Sequence, residues 1–103
     1  DNIGQAAALL AELLERFPQD SRAGLAAFEL GRIRLANGDA RGALDAFDRA
    51  TGASNVFNEQ VEARRIEALE QLGDLTACKT ARKNFLGRFP NGAFAAVVRR
   101  RCP

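Results

Sequence analysis

Cys78 and Cys102 carry the only thiols of a chain that has no histidine. A Cys-x-x-Cys step would poise one thiolate to exchange with the other, and these two stand too far apart in sequence for that. Zinc is served no better, because two cysteines without histidine leave too few of its usual ligands. The carboxylates Glu12, Glu15, Asp45 and Asp48 fall at helical spacings that suit solvated faces. No glycine-rich phosphate loop is present, and no histidine could serve as the base of a catalytic triad. The expectation is a protein that is not an enzyme, with no metal, no cofactor and no small-molecule substrate.

Basic residues could do a different chemistry, binding phosphate. The one run is Arg99-Arg100-Arg101, near the C-terminal end. Cations suit the C-terminal end of a helix, so a solvated helix end is the first reading and an anionic-lipid or phosphate patch the second. The net charge of +2 and the interleaving of acids and bases give no electrostatic footprint for nucleic acid. No stacking aromatic stands beside the arginines, and the chain lacks both Trp and Tyr.

These residues must be carried by a modest core, since 103 residues at 47% apolar content suit one small domain. No stretch approaches the length of a membrane span, so no direct membrane insertion is expected. The first twenty residues lack the positively charged start of a targeting peptide. The chain opens at once on the helical pattern "GQAAALLAELLERFP". It reads as part of a longer protein, with any signal peptide or anchor outside it.

Leu9, Leu10, Leu13, Leu14 and Phe17 recur at three- and four-residue steps, which predicts an apolar helix face ended by Pro18. Asp20 or Ser21 can cap a second helix, carrying Leu25, Phe28, Leu30, Ile33 and Leu35 and ending at Asn37-Gly38. Asp39 caps a third, with Ala40, Ala43, Leu44, Phe47 and Ala50 inward. "TGASN", residues 51–55, reads as a polar loop. A fourth helix follows with Phe57, Val61, Ile66, Leu69 and Leu72. After Gly73-Asp74 a fifth runs to Phe89, with Pro90 beyond it, and residues 93–101 read as a short sixth. No segment alternates with period two, so the fold class is all-α.

The chain also repeats itself. "ELLERFPQD" and "NFLGRFPNG" share Leu-x-Arg-Phe-Pro, and Pro18 and Pro90 stand 72 positions apart. The Gly-Asp steps at 38 and 73 are 35 apart. A period near 35 in an all-α chain indicates stacked helix pairs, none of which can cover its own apolar face. The competing reading is an ordinary bundle with coincidental spacing. Against it, the turns and the stops would have to coincide in phase.

On these residues the chain resembles the tetratricopeptide repeat family. Numbered from Gly24, one repeat shows the signature places as Leu30, Gly31, Gly38, Ala43, Phe47 and Ala50. It departs at Ala27 and Arg34, where aromatics are usual, and at Asn55, where the closing proline would fall. The next, from Glu59, keeps Gly73, a small Cys78 and Pro90 but has Arg65-Ile66 for the Leu-Gly pair. Its "FLGRFP" ending, residues 85–90, resembles the bacterial envelope subgroup, of the periplasmic cell-division coordinator and outer-membrane assembly lipoprotein types. The resemblance implies a short right-handed α-solenoid of antiparallel helix pairs, about six helices in one domain. Its parts are a trailing half-repeat over 1–18, repeats over 19–54 and 55–90, and a capping helix over 91–103.

The family lines a concave groove with the first helix of each pair. Carried over, that implies Leu25, Phe28, Arg32 and Leu35 in one repeat, and Gln60, Ala63, Glu67 and Glu70 in the next. An extended segment or partner helix could be held there by apolar anchors and a charge-assisted bond. Phe28 and Leu25 could instead pack against the first helix. Phe28 and Arg32 occupy the Lys and Asn places of the family's carboxylate clamps, so that function is not implied.

In such a stack Cys78 and Cys102 fall on faces that meet. A bridge would close a loop of about 24 residues and contribute about 3 kcal/mol by chain entropy. Two buried thiols are the other reading. The bridge would place the chain in an oxidising compartment, the periplasm or another envelope space, and free thiols would favour the cytoplasm. The expected role is a scaffold binding another protein, in the bacterial envelope or in signalling. The alternative is an oligomerisation or capping module whose first helix stacks on another copy.

Overall fold

The computed structural model describes residues 1–51 and 58–103. Residues 52–55 of the expected loop, Asn55 and Phe57 lie outside the described residues. Six helices follow in order: α1 (Asn2–Arg16), α2 (Ala23–Ala36), α3 (Ala40–Thr51), α4 (Asn58–Leu72), α5 (Leu75–Arg88) and α6 (Ala95–Arg99). No strand occurs among the described residues. Each helix packs on the next in sequence, and α2 also touches α4. The chain is thus an all-α stack of neighbours.

Local chemistry sets most of the breaks. Gly38 and Gly73 adopt φ of 82° and 88°, the left-handed conformation that closes a helix without a Cβ clash. After each, an aspartate accepts from the next helix: Asp39 from the Gly42 amide at 2.9 Å and Asp74 from the Ala77 amide at 3.2 Å. Asp1 caps α1 in the same way, on the Gly4 amide. The expected cap at Asp20 or Ser21 differs. Asp20 takes both the backbone amide and the guanidinium of Arg22, so it closes the preceding turn, and α2 starts without a side-chain cap.

The internal repeat is present in the backbone. Phe17 and Phe89 end their helices at nearly the same dihedrals, φ −131° with ψ 57° and φ −129° with ψ 57°. Three backbone bonds then recur at an offset of 72. They are Phe17 to Leu13 and Phe89 to Phe85, Asp20 to Phe17 and Gly92 to Phe89, and Ala23 to Asp20 and Ala95 to Gly92. At the Gly-Asp turns the amides of Asp39 and Asp74 donate to the carbonyls of Arg34 and Leu69, an offset of 35. Sequence repetition and hydrogen-bond repetition therefore share one phase.

The core runs through the stack, with Leu30, Phe47, Ile66, Phe85 and Val98 as its large side chains. Gly31 lets α2 and α3 meet. A Cβ there would stand 2.4 Å from the Phe47 ring, too close for any side chain. Phe28 packs against Phe47 with ring centroids 6.0 Å apart. Outside the core, Arg65 pairs with Asp48 at 2.8 Å and ties α4 to α3. Glu59 accepts from the Phe94 amide at 2.9 Å and ties the start of α6 to α4.

The ends of the stack differ from the sequence expectation. Among the described residues α1 packs chiefly on α2, with Leu14 buried and Leu10 half-buried, while Leu9, Leu13 and Phe17 are exposed. α6 is shorter than the expected 93–101, because the chain turns away at Cys102, whose φ is 57°. No helix among the described residues is long and apolar enough to cross a membrane.

Candidate binding surface and C-terminal clamp

α2 and α4, with the start of α1, enclose an open hollow of about 490 Å³. Ile3 and Ala6 supply an apolar edge from α1, and Ile33, Leu35 and Ala36 supply the apolar wall of α2. The charges around it are paired along their own helices. Arg32 lies 2.9 Å from Glu29 on α2, and Arg64 lies 3.2 Å from Glu67 on α4. The hollow thus has an apolar floor between two ion pairs.

The expected groove residues divide. Arg32, Leu35 and Glu67 line this hollow together. Leu25 is 47% exposed on α2. Phe28, at 4% exposed, belongs to the core, and the Arg32 guanidinium lies over its ring at 5.9 Å. On this surface Arg32 is therefore exposed and Phe28 is not. Ala63 is buried, and Gln60 and Glu70 are half-buried.

Glu70 has a different task. Its carboxylate accepts from the Cys102 backbone amide at 2.7 Å and from Arg101 Nη1 at 2.8 Å. Arg101 also reaches Glu67 at 3.5 Å. On α5, Arg82 Nη1 donates to the carbonyls of Arg101 at 2.7 Å and Cys102 at 3.2 Å. Cys78 and Cys102 are joined, with Cα atoms 5.8 Å apart and both residues buried. Arg99 Nη2 donates to the Pro90 carbonyl at 2.7 Å. Arg99 and Arg101 of the basic run thus help hold the chain end in place. Backbone, side chain and disulfide clamp one short segment onto α4 and α5.

The Cys102 amide and, after it, the Arg101 guanidinium hold the Glu70 carboxyl below the usual carboxylate range. The clamp's stabilisation is therefore complete above the ordinary glutamate value, near 4.3, and is lost as pH falls through the lowered value. Glu70→Gln should cost about 1–2 kcal/mol at pH 7. That gap should narrow as pH falls below the ordinary glutamate value and close once pH lies below the lowered value, where the folded carboxylate is itself protonated. Paired urea titrations at pH 7 and pH 3 check this, and a gap independent of pH would contradict it.

Sequence reasoning missed Glu70, Arg82 and Arg101 in these roles. Glu70 and Cys102 are 32 positions apart, and nothing in helical spacing links them. Among the described residues, no group of three or more His, Cys, Asp or Glu side chains is placed to hold a metal ion. Comparison with protein-family models, with curated proteins and with solved structures found no match for this chain.

Proposed function

We propose that the protein is a non-catalytic binding scaffold of the tetratricopeptide type, holding a segment of a partner protein in the hollow between α2 and α4. The observation that carries this reading is the hollow itself, an apolar floor open to solvent with Arg32 and Glu67 at its rim. The turn and stop motifs recurring in phase support the family reading. The joined cysteines fit an oxidising compartment, and the "FLGRFP" ending suggests the bacterial envelope as that compartment.

A partner segment in the hollow would bury apolar side chains against Ile33 and Ala36 and draw one charge-assisted bond from Arg32. Arg32→Glu should weaken capture at least tenfold, since a charged hydrogen bond is worth about 1.5–3 kcal/mol and the change adds repulsion from Glu29. A photoreactive residue at Ala36 tests the assignment in living cells. Specific adducts at Ala36, absent from exposed Lys79 on α5 and lost with Arg32→Glu, are expected. Adducts equal at both positions, or unaffected by Arg32→Glu, would contradict the assignment.

A further inference from the structure

The interleaving of acids and bases stops at Asp74. Of the 15 Lys and Arg residues of the chain, seven lie between Leu75 and Pro103, whereas all 13 Asp and Glu residues lie before Leu75. The net charge of +2 therefore joins an acidic part, which carries α1 to α4, to a wholly basic part, which carries α5 and α6.

Pairing inside the molecule does not use these charges up. Among the described residues, Arg101 is the one cation of the seven paired with carboxylates, those of Glu67 and Glu70. Arg82 and Arg99 donate to backbone carbonyls, and Arg88 lies over the Phe89 ring at 4.9 Å, contacts that leave the charge uncompensated. Glu59 also touches this part, through the Phe94 backbone amide. Helix dipoles account for Arg88 and Arg99, the last residues of α5 and α6. They do not account for Lys79, Arg82 and Lys83, which stand within α5. Lys79 and Lys83 are both exposed and four residues apart, a like-charged spacing that costs a helix stability.

These three cations share one flank. Steps of three and four residues carry it from Leu75 through Lys79, Arg82 and Lys83 to Leu86. Leu75 is 44% exposed and Leu86 half-buried. The bonds from Arg82 to the carbonyls of Arg101 and Cys102 hold the segment that follows exposed Arg100 against the same helix.

We propose that this flank of α5, with Arg100, docks the protein reversibly on an anionic membrane surface, the lipid phosphates being its ligands. Charge complementarity sets the sign of the occupant, and three observations favour lipid over nucleic acid. Leu75, one turn before Lys79, gives the flank an apolar tip that the headgroup boundary of a bilayer accepts and a phosphodiester backbone does not use. On α5 and α6, Phe85 is buried and Phe89 and Phe94 are half-buried, so no open ring is offered to a nucleobase. The joined cysteines fit an oxidising compartment, bounded by membrane and apart from the nucleic acid of the cell. At an anionic surface each basic side chain strengthens binding about fivefold, so Lys79, Arg82, Lys83 and Arg100 together supply about 600-fold. The docking does not rest on the hollow between α2 and α4.

Flotation of the 103-residue chain with vesicles tests the proposal, using phosphatidylcholine alone and phosphatidylcholine mixed with phosphatidylglycerol. The protein should float with the mixed vesicles and not with the neutral ones, and binding should fall as salt rises from about 50 to 500 mM. Lys79→Glu combined with Lys83→Glu should weaken it at least tenfold with helicity unchanged, since both side chains are exposed. Arg41→Glu combined with Arg49→Glu, at exposed positions of α3, makes the same change in net charge and should weaken it less than threefold. No binding to the mixed vesicles overturns the proposal, as does equal binding to both kinds. Equal losses in the two double variants overturn it too, because net charge rather than this flank would then be responsible. Duplex DNA bound at a lower phosphate concentration than the mixed vesicles would assign the flank to nucleic acid and overturn the lipid reading.

Discussion

Cys102→Ser is expected to lower the free energy of unfolding by about 3 kcal/mol. The bond closes 24 residues of chain, and the entropy it removes from the unfolded ensemble sets that scale. For a domain of this size the melting temperature should fall by about 12–20 °C. Reduction of the wild-type protein should produce the same loss, because it removes the same constraint. The native state also contributes. With the bond gone, the left-handed residue 102 is held by its packing and by hydrogen bonds to Glu70 and from Arg82. Amide exchange should therefore speed up first in residues 95–102, ahead of α2 and α3. Equilibrium unfolding of the two proteins checks the magnitude. A change below about 0.5 kcal/mol would mean that the clamp holds without its covalent member.

The second large effect belongs to Gly31. In an exposed helix Gly→Ala gains about 1 kcal/mol, because glycine loses the most backbone entropy on folding. At Gly31 the added Cβ would stand 2.4 Å from the Phe47 ring, and that ring is fully buried with no free side to move into. Overpacking of this kind costs about 1–3 kcal/mol, so Gly31→Ala should be net destabilising and Gly31→Leu should prevent folding. Gly87 is the internal control. It sits on exposed helix with nothing within 4 Å of its added Cβ, and Gly87→Ala should stabilise by about 0.5–1 kcal/mol. Phe47→Leu should be destabilising alone yet should relieve Gly31→Ala, giving a coupling above about 0.5 kcal/mol in a double-mutant cycle. Opposite signs at the two glycines would separate close packing from helix propensity. Stabilisation at both would show that α2 and α3 do not meet at Gly31.

The breaks between helices were legible because they obey local rules. Pro18, Gly38, Gly73 and Pro90 each act within one turn of chain, as do the caps at Asp39 and Asp74. Asp20 shows where a local rule loses. Its carboxylate had two nearby claimants, and Arg22 supplied both an amide and a guanidinium. Periodicity identified α1 as amphipathic, but it could not say which part of the stripe α2 would cover. The same limit applies on α2. Family spacing placed Phe28 and Arg32 on one groove face, and packing then drew the ring inward and left the cation outside. The clamp was half legible. The register of the repeat brought the two cysteines together, whereas Glu70, Arg82 and Arg101 meet only through tertiary folding.

Closure of the stack and the oxidising compartment both depend on the bond between Cys78 and Cys102, so its state in the cell is the most direct test. Cells are treated with an alkylating reagent before lysis, and the intact mass of the denatured chain is read with and without prior reduction. The expected result is no added alkyl group until the protein is reduced, and two afterwards. Two alkyl groups on the unreduced chain would contradict the covalent clamp and the oxidising compartment it fits.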